Sequence, residues 1–132
     1  MVEKKYNIFL EGKILGSTKL EFGDPPMGIV FGQISFVDRN LGYDFIKKYC
    51  IDNSIEIQID YPDEKLITTG IIEKLNIFNS NNNELKGIGN FIEGMDSDSY
   101  TISIYGLDNE VFKQEFPEHI IEYERKQLSD ND

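Results

Sequence analysis

A mainly β fold of the α+β class is what this 132-residue sequence predicts, on three observations. Apolar and polar residues alternate over short runs, as in Ile55-Glu56-Ile57-Gln58-Ile59-Asp60, the period of a half-buried strand. Clusters of Gly, Pro, Asn and Asp punctuate those runs at short intervals, which suits antiparallel connections. Only two segments carry apolar residues at helical spacing. The expectation is about seven antiparallel strands in a curved sheet, a sandwich or a partly open barrel, with two short helices near 43–50 and 117–127.

Tyr6, Ile8 and Leu10 share one face of the first strand, and Glu11-Gly12-Lys13 offers a tight turn into a second run from Ile14 to Phe22. Asp24-Pro25-Pro26 ends that run, because proline donates nothing to a ladder. Ile29 to Val37 is the third strand, with Gly32 marking a bulge or a close-packed point. Tyr43, Ile46 and Cys50 then recur at helical spacing, with Asn40 as a capping residue. Ile55, Ile57 and Ile59 form the clearest half-buried strand, and Tyr61-Pro62-Asp63-Glu64 turns the chain. Leu66 to Phe78 reads as one longer strand bent at Gly70. Past the polar loop Ser80–Asn83, Lys86 to Glu93 and Tyr100 to Tyr105 complete the strands. Pro117 suits the first position of a final helix, leaving 1–128 as one domain and 129–132 as a polar tail.

Composition narrows the function. The chain has 24 acidic and 13 basic residues, a net charge of −11. From Gly87 onward 11 acids face only Lys113, Arg125 and Lys126. Such a field repels nucleic acid and anionic membrane and attracts basic partners. A single cysteine, Cys50, excludes an intrachain disulfide and fits a reducing cytoplasm. No apolar run is long enough to span a bilayer as a helix.

Chemical motifs are weak. His119 and Cys50 are residue types of a nucleophilic pair, though a surface histidine and a buried small hydrophobe is the plainer reading. A hydrolase or isomerase would use His119 with an acid. Asp96-Ser97-Asp98 has the look of a calcium loop but lacks the later ligands, and reads better as a solvated turn. The glycines from Gly87 to Gly94 carry no phosphate-loop ending and suit a strand pressed against another backbone. Tyr6, Ile8, Leu10, Gly12, Glu21 and Phe22 recur at constant offset as Tyr100, Ile102, Ile104, Gly106, Glu115 and Phe116, a faint echo without a repeat period. No catalytic residue, metal or cofactor is expected.

Size, acidity, lone cysteine and β-rich patterning together resemble the small acidic immunity proteins of bacterial polymorphic-toxin and contact-dependent inhibition systems. That resemblance implies a non-enzymatic protein that binds a basic toxin domain. The residues expected to carry binding are Glu93, Asp96, Asp98, Tyr100, Asp108, Glu110, Glu115 and Glu118, with Tyr100 as the anchor. Two alternatives are a small-molecule-binding β domain whose pocket is lined by Phe9, Phe22, Phe31, Phe36 and Phe91, and a structural protein assembling through its strand edges.

Overall fold

Glu11 and Gly12 both take positive φ, 54° and 77°. Their twist matches that of the flanking strands, so β1 (Tyr6–Leu10) folds straight back on β2 (Lys13–Thr18). This computed structural model describes residues 4–130. The chain then forms β3 (Phe22–Asp24), β4 (Ile29–Gln33), β5 (Ser35–Phe36), α1 (Tyr43–Asp52), β6 (Ile57–Tyr61), β7 (Leu66–Thr69), β8 (Leu75–Phe78), β9 (Gly89–Met95), β10 (Tyr100–Tyr105), α2 (Asn109–Glu115) and α3 (Pro117–Asp130).

The strands make two antiparallel sheets, one ordered β5-β2-β1-β8 and the other β3-β4-β10-β9-β7-β6, without barrel closure. Ten strands rather than seven arise because three predicted runs each divide and change sheet. Ile14 to Phe22 divides at Lys19–Glu21, where Leu20 is buried with a left-handed φ of 46°. Ile29 to Val37 divides at Ile34, so β4 pairs in one sheet and β5 in the other. Leu66 to Phe78 divides between Gly70 and Lys74. Alternation reports which residues of a run face inward, but not that the inward side has passed from one sheet to its neighbour.

The inward residues form one hydrophobic cluster between the sheets. Tyr6, Ile8, Leu10, Leu75 and Ile77 come from the smaller sheet, and Val30, Ile67, Ile92, Ile102 and Ile104 from the larger. Fully burying such a side chain stabilises the fold by about 1.5–3 kcal/mol. Helix α1 covers the same interior with Tyr43, Ile46 and Cys50, and Phe112 of α2 closes one end with Phe116.

Hairpins β3–β4 and β6–β7 flank the central β9–β10 hairpin. Each turns through three residues of 3-10 helix opening on proline, and each leaves through a left-handed residue, Gly28 or Lys65. Gly32 is a close-packed point, since β4 keeps unbroken register with β10 and an added Cβ would lie 2.8 Å from the Leu20 Cα. The echo between Tyr6 and Tyr100 is not a duplication: Glu21-Phe22 lead into a strand, whereas Glu115-Phe116 end a helix. Helix α3 runs through Asp130, into the expected tail, and residues 131–132 lie outside the described range. Among the described residues no helix is long and apolar enough to cross a membrane.

Candidate partner-binding face

The larger sheet buries one face and leaves the other open. Pairing places Phe22, Phe31, Ser103 and Phe91 in one cross-strand row, and Gln33, Thr101, Glu93, Thr68 and Ile59 in the next. Met95, Leu66 and Tyr61 follow in a third. Their inward neighbours Val30, Ile92, Ile102 and Ile67 are nearly inaccessible, so these rows face away from the core. Tyr43 of α1 reaches Asp60, which pairs with the buried Ile67. That helix therefore lies on the inner side. Helix α3 lies along the edge strand β3, where the His119 ring is next to Gly23.

Six strands at about 4.8 Å spacing make a surface about 24 Å across. Phe22 is 54% exposed and stacks on Phe31 at 5.3 Å, while Tyr61 is 57% and Ile59 43% exposed. Phe31 and Phe91 both pair across Ser103, so two aromatic rings stand either side of that small side chain. Glu93 is in the middle row between Thr101 and Thr68, exposed and without a side-chain partner among the described residues. The ladder positions of this face include the acids Glu93 and Asp24 and no Lys or Arg.

The other acids expected to bind a partner mostly serve the fold. Asp96, in the β9–β10 turn, accepts hydrogen bonds from the Tyr43 backbone N–H at 3.0 Å and the Tyr100 hydroxyl at 2.7 Å. It thus caps α1 from a distant segment. The helix begins after Gly42, and a Cβ at Gly42 would come within 2.5 Å of that carboxylate. Asn40 does not cap; its N–H instead donates to Asp38. Tyr100 is only 5% exposed and packs edge-on against Phe36, which corrects its expected place as a surface anchor. Asp108 caps α2 through the Glu110 N–H, and Glu110 lies 3.9 Å from Lys113. Glu115 accepts from the Tyr6 hydroxyl at 2.9 Å, and Glu118 pairs with Lys4 at 3.2 Å. Only Glu93 and Asp98 remain exposed without side-chain partners among the described residues.

Replacing Asp96 with Ala is therefore expected to lower stability by about 1–3 kcal/mol, by removing a helix cap and leaving the Tyr100 hydroxyl only its longer contact with the Lys65 carbonyl. Asn, which keeps one acceptor oxygen, should recover part of the loss. Urea unfolding of the three proteins provides the check.

Pairing of tyrosine with carboxylate recurs. Tyr6 donates to Glu115, Tyr43 to Asp60, Tyr49 to Glu11 and Tyr100 to Asp96. Burial first, and then the neighbouring carboxylate, raises the pKa of all four hydroxyls, that of Tyr49 to about 12. Burial alone raises the Cys50 thiol to about 11. A folded pKa above the unfolded one gives stability that is complete below the unfolded value and is lost as pH rises through the folded value. The urea midpoint should thus fall between the ordinary thiol value of 9.0 and about 12. Tyr49→Phe should remove part of that slope above pH 10, where the ordinary phenol begins to ionise.

The remaining motifs have structural places. Cys50 is fully buried in the core. His119 is stacked on Phe116 with its Nε2 donating to the Leu20 carbonyl at 2.8 Å, and no hydrogen bond joins it to Cys50. Gly87 and Gly94 approach backbone, at Tyr105 and at Ser99–Tyr100. The five phenylalanines do not line a common pocket: Phe9 packs on Phe78, Phe22 on Phe31, and Phe91 belongs to the open face. Phe36 alone of the five packs against the core cluster. Of this face, the sequence singles out Glu93 as a partner contact and Phe22, Phe31 and Phe91 only as pocket residues, because their common row follows from sheet order. In comparisons with known proteins, the chain matches no family model, no curated protein and no solved structure.

Proposed function

We propose that the chain is a non-enzymatic binding protein of the immunity type, which neutralises a basic toxin domain in the cytoplasm by docking it on the open face of the larger sheet. The observation that carries this reading is a sheet face with exposed Phe22 on one edge strand, exposed Ile59 and Tyr61 on the other, and between them the carboxylate of Glu93, without a partner among the described residues. Aromatic area around a desolvated charge pair is the composition of interface hot spots. The net charge of −11 supplies long-range attraction for a cationic domain and repulsion for nucleic acid. A second copy of the chain would bring Glu93 and Asp24 against like charges, so charge complementarity favours a basic partner over self-assembly.

Co-expression with the product of the adjacent gene tests the proposal. Rescue of growth from that product, together with a stable complex of the two purified proteins, is the expected result. A partner that binds the variant Phe22→Ala/Glu93→Arg as tightly as the parent would refute the assignment of this face.

A further inference from the structure

We infer that the recess where the two sheets part, beside β2, β5 and the end of β4, binds a small multivalent oxyanion of the phosphate class. The recess has a volume of about 420 Å³, and every side chain lining it is polar or charged. Lys5 and Lys19 line it with Ser17 and Ser35, Glu21 is the one acid, and Lys4 borders it with its ammonium held at Glu115 and Glu118. In a chain with 24 acids and 13 bases, this reverses the general charge balance.

Strand register explains this arrangement. Tyr6 pairs with Thr18, and both point into the core. Lys5 precedes and Lys19 follows that pair, just past the end of the ladder, and both line the recess. One step within the ladder, Asn7 pairs with Ser17, which pairs in turn with Ser35. Two lysines thus line the recess together with two serines. Like charges gathered in one recess repel, and an anion bound there offsets that repulsion while accepting from the serines.

The three lysines are not equally engaged. Lys4 donates to the Glu115 carbonyl and pairs with Glu118, and Lys19 has a contact of its own. Lys5 has no partner among the described residues, which leaves its ammonium for the ligand. The negative field of the whole molecule disfavours long polyanions, whereas a compact oxyanion fits the recess. Free phosphate and a phosphoryl group carried on a side chain share this chemistry.

NMR titration of the labelled full chain with inorganic phosphate, and in a parallel arm with O-phosphoserine, tests the site and separates the two sources. Saturating shifts at Lys5, Ser17 and Ser35 between about 0.1 and 10 mM are expected in at least one arm. Lys5→Ala/Lys19→Ala should weaken binding by roughly tenfold, and Glu21→Gln should tighten it by roughly threefold by removing the opposing charge. The variants' own spectra report whether the fold is intact. The inference fails if neither ligand saturates, if sodium chloride at equal ionic strength gives the same shifts, or if the double lysine variant binds as the parent does.

Discussion

Replacing Phe116 with Ala is expected to cost about 3–5 kcal/mol, a large share of the 5–15 kcal/mol typical of a single domain. Its ring is fully buried where α2 meets α3. It lies 5.9 Å from Tyr6, 5.7 Å from Phe112 and 5.3 Å from His119, with the Lys4 ammonium 5.2 Å from the ring centre. One side chain thus fastens both C-terminal helices to β1. Truncation leaves a cavity bounded by three rings, and Pro117, fixed in φ, limits how far the chain can relax into it. Phe22→Ala is the matched control. That ring is 54% exposed and touches Phe31 alone among the aromatics, so its loss should cost under about 1 kcal/mol. Urea unfolding followed by circular dichroism and tyrosine fluorescence, in a protein without tryptophan, separates the two. A cost below about 1 kcal/mol at Phe116 would mean that the helices do not depend on this contact.

The contrast between these rings shows where sequence reasoning reaches and where it stops. Alternation located the inward residues Tyr6, Ile8 and Leu10 of β1 and Ile102 and Ile104 of β10, all of them buried, but it did not prevent the misplacing of Tyr100, which is buried rather than a surface anchor. It could not tell Phe116 from Phe22, because both follow a glutamate in a mixed segment and only tertiary packing separates them. Helix α2 was missed although its signals are present: Asp108 is a capping residue, and Phe112 and Phe116 are four apart. Carboxylates are harder still. Glu115 meets Tyr6 across 109 positions, and Glu11 meets Tyr49 across 38, so no local pattern marks them as structural. Glu93 could be placed outward from its alternation with Ile92. The Phe22–Phe31 pair beside it could not, since it depends on β3 and β4 joining the same sheet as β9.

Glu93→Arg is expected to weaken binding of the basic partner by at least about thirtyfold, the equivalent of about 2 kcal/mol. The carboxylate is flanked by Thr101 and Thr68, with Phe91 and Met95 along the same strand face. A docked partner would exclude water from this patch, and a charge there must be paired or it opposes association. Reversing it sets like charges together at the centre of the interface. Glu124→Arg makes the same change in net charge on α3, outside the ladder positions of the face and outside the pocket that α3 shares with Phe22 and Phe31. It should leave affinity within about threefold and act mainly on the association rate at low salt. Because Glu93 is exposed and its ladder neighbours are threonines, neither variant should change the unfolding free energy measured in urea by more than about 0.5 kcal/mol. Calorimetric titration of the purified pair at two salt concentrations distinguishes a local contact from general steering. Equal effects of the two reversals would show that the acidic field acts as a whole, and would remove Glu93 from the interface.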